Sequence, residues 1–146
     1  MPLEVIIAKT SAERETCFEI RKAVFVAEQA VPLELELDEY DASAIHFLMR
    51  DSETQKPLAT ARLLNKSGLA KIGRVAVLRE LRGQGFGMAL MQAVLDEARR
   101  LGFTESILDS QTYAVPFYER LGFVAEGEEF DDAGIAHLLM RKCLGF

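Results

Sequence analysis

An α/β fold, a single domain with a mixed sheet of about seven strands flanked by helices, is the class this sequence predicts. Three observations predict it. Short apolar runs rich in β-branched residues alternate with two long segments of helical period. The apolar run Ile72-Gly73-Arg74-Val75-Ala76-Val77-Leu78 passes through a glycine-rich turn directly into the second of those segments. Turn-forming clusters at 65–68 and 131–134 each join two apolar runs into a hairpin. The chain has 146 residues, 49% of them hydrophobic, enough to bury a core and too apolar to stay disordered. One domain over residues 1–146 is the expectation.

Each element has its own signal. Residues 3–8 read as a strand. Thr10 or Ser11 can cap the helix that follows, and Cys17, Ile20, Ala23, Val24 and Ala27 recur at helical spacing to about residue 29. Pro32 then opens an acid-dense loop holding Glu34, Glu36, Asp38, Glu39 and Asp41. Strands follow at 44–50, 57–64 and up to Val77. The helix after the glycines places Met88, Leu90, Met91, Val94, Leu95 and Ala98 on one face, and Gly102 ends it. A strand at 105–108, a short helix at 112–121 and strands at 123–128 and 135–142 complete the order β-α-βββ-α-β-α-ββ. The two strands joined by the long helical crossover should lie parallel, in a right-handed connection.

Composition narrows the partners. Seventeen basic and 23 acidic residues give 17 − 23 = −6, and no basic cluster offers the phosphate contacts a nucleic acid needs. The acid-dense loop is either a solvated surface or an attractor for a cationic amine. Cys17 and Cys143 stand far apart, without zinc-site spacing, and read as two reduced, mostly buried thiols; no metal is expected. No leader is visible at Met1-Pro2-Leu3-Glu4-Val5, and no apolar run approaches the roughly 18 residues of a membrane span, so a cytoplasmic protein without membrane partners is expected. Nothing sets the oligomeric state, and a homodimer stays open.

The chemistry concentrates in Arg82-Gly83-Gln84-Gly85-Phe86-Gly87-Met88. Glycines at alternate positions let backbone amides converge on one concave spot without obstructing Cβ atoms, and the following helix aims its positive end there. Such a turn suits a phosphate, and a pyrophosphate best. The dinucleotide fingerprint needs another glycine at Met88 or Leu90, and a Walker A loop needs Gly-Lys-Ser/Thr; both patterns fail.

What remains is Arg-x-x-Gly-x-Gly on Arg82, Gly85 and Gly87, which resembles motif A of the GCN5-related N-acetyltransferases. Downstream, Ala114-Val115-Pro116-Phe117-Tyr118-Glu119-Arg120-Leu121-Gly122-Phe123 resembles motif B of the same family, at the expected separation. The N-terminal run from Arg21 to Gln29, then Asp38, Asp41 and Ala44-Ile45-His46, with Asp132 to His137 near the end, is similar to the family's ElaA/YjcF-type branch. The resemblance covers essentially the whole chain.

It implies an acetyl-CoA-dependent N-acetyltransferase acting on a small primary amine or a peptide, with no metal. The amides from Arg82 through Gly83, Gln84, Gly85, Phe86 and Gly87 to Met88 would hold the pyrophosphate. The backbone of Val75, Ala76 and Val77 would pair with the pantetheine arm like an added strand. Ala114 and Phe117 fall on the cofactor side, as does Gln111, which stands where many members carry Asn. Tyr118 takes the general-acid position; a tyrosine is protonated at neutral pH and able to donate to a departing thiolate. The alternative is a tyrosine packed beside Phe117 and Phe123. Glu28, His46 and His137 are the candidates for a general base, each with a purely structural alternative. Two other functions stay open: an acyl-CoA-binding module without turnover, and an enzyme like the acyl-homoserine-lactone synthases, to which Arg21, Val24 and Phe25 are loosely similar.

Overall fold

A computed structural model describes residues 2–145. Met1 and Phe146, the ends of the expected domain, lie outside the described residues. Seven strands form one mixed sheet in the order β1-β2-β3-β4-β5-β7-β6. They are β1 (Leu3–Ile7), β2 (Ile45–Asp51), β3 (Pro57–Lys66), β4 (Leu69–Val77), β5 (Glu105–Gln111), β6 (Val124–Asp132) and β7 (Ile135–Cys143). The helices are α1 (Ser11–Arg21), α2 (Leu33–Glu36), α3 (Phe86–Arg100) and α4 (Val115–Arg120). The α/β class and the strand count agree with the sequence reading.

Local chemistry explains most boundaries. Thr10 and Glu13 form a reciprocal capping box at the start of α1. β3 and β4 are joined by Ser67 and Gly68, both at positive φ, and β6 and β7 by Ala133 and Gly134, also both at positive φ. Two-residue loops of this kind match the natural twist of a hairpin. Gly102, at φ 92, ends α3.

The helices cover opposite faces of the sheet. Leu90, Met91, Val94, Leu95 and Ala98 of α3 pack with Phe47, Met49, Ala59 and Ile72, and Tyr118, Leu121 and Phe123 join the same core. Cys17, Ile20 and Val24 lie on the other face against Leu48 and Ala76. The alternation Phe47/Leu48 therefore feeds two cores, as a strand buried on both sides requires.

Several details differ from the sequence reading. The first helix does reach Glu28, but from Lys22 onward it widens into a π-helix, with the Gln29 amide donating to Val24 O at 3.1 Å. Periodicity is blind to one inserted residue per turn. The acid-dense segment is not a plain loop: it holds α2 and a 3₁₀ turn at Glu39–Ala42. Cys17 is buried as expected, whereas Cys143, closing β7, is exposed.

The sheet opens where it matters. β4 and β5 are parallel, as predicted, and pair only at Ala70↔Ser106, Lys71↔Ile107 and Ile72↔Leu108. Beyond Leu108, β5 continues beside β7 alone, through Asp109↔Leu139 to Gln111↔His137. Beyond Ile72, β4 follows β3 across a bulge, because Thr60 faces Ala76 while Arg62 faces Gly73. Arg74, in this bulge, holds φ 51, a left-handed conformation that a residue with a Cβ adopts only under compensation. The two strands thus part between 73–77 and 109–111.

Candidate active site

A cleft of about 1160 Å³ fills this parting and extends over both faces. At its mouth stands the glycine turn. A 3₁₀ turn at Arg79–Leu81 hands the chain to Gly83 and Gly85, at φ 80 and 83, and Gly85 is the N-cap of α3. A Cβ at either glycine would meet nothing within 4 Å, so the space beside this backbone is open. The first intrahelical bond runs from the Ala89 amide to Gly85 O, which leaves the amides of Phe86, Gly87 and Met88 without a partner among the described residues, at a helix start. Open glycine backbone, free amides and the positive end of a 15-residue helix together fit a phosphate. Gly83, Gly85, Phe86, Gly87 and Met88 line the cleft, and Gln84 does not.

Arg82 lines the mouth but is not a free cation. Its Nε donates to Val77 O at 3.0 Å and its Nη2 to Glu28 Oε1 at 2.8 Å, with Nη1 on the other Glu28 oxygen. Arg82 holds the Glu28 carboxyl below its usual range despite partial burial. Glu28 is therefore an ionised partner of the turn and does not line the cleft.

Tyr118 lies on the cleft wall, with its ring edge-on to Phe117 and Phe123. Burial, and secondarily Tyr113, pushes its pKa well above that of a free tyrosine. The hydroxyl thus keeps its proton across the physiological range. Val75, Ala76, Val77, Gln111, Ala114 and Phe117 also line the cleft. Gln111 carries an unforeseen partner: its Nε2 donates to Gln29 Oε1 at 2.8 Å, linking the end of β5 to the end of the π-helix.

The two histidines part company. His46 is 2% exposed, outside the cleft, with Nε2 donating to Asp41 O at 2.8 Å. Burial lowers its pKa, and its other nitrogen is enclosed without a partner. His137 lines the cleft, stacked on Phe130. Its Nδ1 donates to Ile135 O at 2.7 Å, so in the neutral ring Nε2 carries the lone pair.

Beneath one wall lies a charged cluster that sequence reasoning missed. Arg21, 1% exposed, donates from Nε to Glu36 Oε1 at 2.6 Å and from Nη1 to Asp41 Oδ1 at 2.7 Å. Arg62 forks onto Asp38 at 2.7 and 2.8 Å and reaches Asp41 Oδ1 at 2.9 Å. Arg74 adds a contact to Asp38 Oδ2 at 3.1 Å. Burial acts to raise the Asp41 carboxyl, but Arg21, the Asp38 amide and Arg62 outweigh it and hold Asp41 at about 2. Within the acid-dense loop Glu36, Asp38 and Asp41 are thus committed to arginines, while Glu34 and Glu39 remain exposed to solvent. A sequence signal existed: Arg62 and Arg74 stand among the apolar residues in the middle of their strands, where unpaired charge is not tolerated. Among the described residues no group of three or more His, Cys, Asp or Glu side chains is placed to hold a metal ion. No helix among them is long and apolar enough to cross a membrane.

A mixed sheet whose two central parallel strands part beside a glycine-rich helix start is the architecture of an acyl-CoA-type transferase. The chain belongs to the acetyltransferase (GNAT) domain family, whose sequence profile matches residues 8–144. It is 40% identical over 141 residues to a Bacillus subtilis (strain 168) protein named "Uncharacterized N-acetyltransferase YjcF", covering 96% of this chain and 99% of that one. Its fold is similar to that of an acyl-CoA N-acyltransferase from Pseudomonas aeruginosa, at 31% identity and TM-score 0.83 over 97% of this chain and 98% of the other. It is also similar to Escherichia coli ElaA, at 26% identity and TM-score 0.82 over 96% and 97% of the two chains.

Proposed function

We propose that this protein is an N-acetyltransferase that moves an acetyl group from acetyl-CoA to the primary amine of a small molecule or peptide. One observation carries the reading: the open, left-handed glycines at the start of α3 stand at the mouth of the cleft that Tyr118 lines. The amides of Phe86, Gly87 and Met88 would hold the pyrophosphate, as helix starts hold anions. The free edge of β4 at Val75 to Val77 would pair with the pantetheine amides. Acetyl-CoA supplies the activated acetyl thioester. Tyr118 keeps its hydroxyl proton at neutral pH and gives it to the departing sulfur. Of the three base candidates, His137 is the one lining the cleft, and its Nε2 lone pair takes the proton from the attacking amine. The acyl-CoA N-acyltransferase named above supports the donor class.

The test is release of CoA thiol from acetyl-CoA in the presence of polyamines, amino sugars, amino acids and peptides. Amine-dependent release supports the proposal. CoA binding with no amine-dependent release across that panel contradicts it and leaves a binding module.

A further inference from the structure

The charged wall of the cleft has one donor to spare. Asp38 accepts four hydrogen bonds, from Arg62 Nη1 and Nη2, the Tyr40 amide and Arg74 Nη2. A carboxylate offers about four lone-pair sites, so Asp38 is saturated. Asp41 likewise accepts from both Arg21 and Arg62 and from the Asp38 amide. Glu36 Oε1 takes Arg21 Nε, and its Oε2 is enclosed. The Nε of Arg62 is enclosed too. None of these acids has an open oxygen for an incoming ammonium.

Arg74 differs. Its Nε and Nη2 donate to Glu36 O, Leu35 O and Asp38, but its Nη1 makes no hydrogen bond among the described residues and is not enclosed. The residue lines the cleft, two positions beyond Ile72, where β4 and β5 cease to pair. The bulge re-aims this side chain toward the face of α1 and α2, opposite the core that holds Tyr118. The backbone there holds φ 51, a left-handed conformation that the surrounding bulge must compensate. Burial, then the charges of Arg62 and Arg21, disfavour the Arg74 cation while Asp38 and Glu36 favour it, and an anion beside Nη1 would add to the favourable side.

The geometry points to Arg74 as the residue that binds an oxyanion carried by the acceptor amine itself, as in an α-amino acid. This rests on the acetyl-transfer reading above. The acceptor would then enter from the face of α1 with its carboxylate on Arg74 Nη1 and its amine turned toward the parting of the strands. Arginine suits the role because its planar donors stay charged and directional in a half-buried site.

The test is calorimetric titration of the CoA-loaded protein, which needs no turnover. Matched probes are common α-amino acids against their α-carboxamides, and phosphoethanolamine against ethanolamine. At least tenfold tighter binding of the anionic member of either pair supports the site, and the pair that shows it identifies carboxylate or phosphate. Arg74→Gln should abolish the preference and Arg74→Lys should retain part of it, with CoA affinity and circular dichroism verifying the fold of each. Equal binding of both members, tighter binding of the neutral ones, or binding of neither overturns the proposal. So does a preference that survives in folded Arg74→Gln. Thiol release with acceptors that show no anion preference would leave the transferase reading standing and remove this one alone.

Discussion

Gly87 lies against Phe117 so closely that a Cβ added to it would stand 3.3 Å from Phe117 Cζ and 3.7 Å from Val77 Cγ2. The first turn of α3 is thereby packed onto the short helix that carries Tyr118. Gly87→Ala requires the packed Phe117 ring to give by a few tenths of an ångström, which should cost up to about 1–3 kcal/mol. The shift should pass to the neighbouring Tyr118, lowering kcat as well as the denaturation midpoint. Gly85→Ala meets open space instead, and its penalty comes from φ 83, about 1–2 kcal/mol of backbone strain. Urea unfolding and thiol-release kinetics on both variants separate packing from backbone conformation.

Tyr118→Phe removes only the hydroxyl, and the ring keeps its contacts with Phe117 and Phe123. Turnover should fall by about 10²–10⁴-fold, the usual weight of a general acid, while the Kd for CoA stays unchanged. Unchanged turnover would reassign Tyr118 to the core.

His137 and Glu28 give opposite expectations. His137→Gln should lower kcat/KM by about 10²-fold or more, because the base candidate that lines the cleft is lost. Glu28→Gln should leave the pH profile in place, because Glu28 is already an ionised partner of Arg82. Its stability cost should stay below about 1 kcal/mol, since the pair is partly solvated. The kcat/KM values of the two variants, measured side by side with the pH profile of Glu28→Gln, decide between the residues.

The buried charge cluster should govern acid stability. The Asp41 carboxyl sits at about 2 in the folded protein against an ordinary 3.8. A depressed carboxylate pKa means the unfolded chain binds the proton first as pH falls. The stabilisation is thus fully present above about pH 5 and is lost as pH falls through 4 toward 2. That depression corresponds to on the order of 2 kcal/mol. Asp41→Asn should flatten the stability-versus-pH curve in that window. Arg21→Met leaves Glu36 buried beside an apolar side chain and should cost about 3–5 kcal/mol in urea denaturation at pH 7.

What the sequence disclosed follows from how local its signals are. The capping box at Thr10, the two hairpin turns, the apolar face of α3 and the left-handed glycines are each written within a few adjacent residues. The π-helix at Lys22–Glu28 is not, because an extra residue per turn leaves no compositional mark. The Arg74 bulge is set by register against β3, and the cluster of Arg21, Glu36, Asp38, Asp41, Arg62 and Arg74 joins four separate segments. The acid-dense stretch could be read only by composition, which cannot show that Glu36, Asp38 and Asp41 are met by arginines from three other elements. For the same reason His46 and His137, alike as lone histidines in apolar surroundings, diverged only in three dimensions.

The central claim is that the turn at Gly83 and Gly85 holds the pyrophosphate of acetyl-CoA. Its most direct test is calorimetric titration of CoA into the wild-type protein and into Gly85→Val, with circular dichroism verifying that the variant is folded. The prediction is saturable binding by the wild type, weakened at least about 100-fold in the variant, a loss of about 2.7 kcal/mol. Equal affinity in the two folded proteins would contradict it.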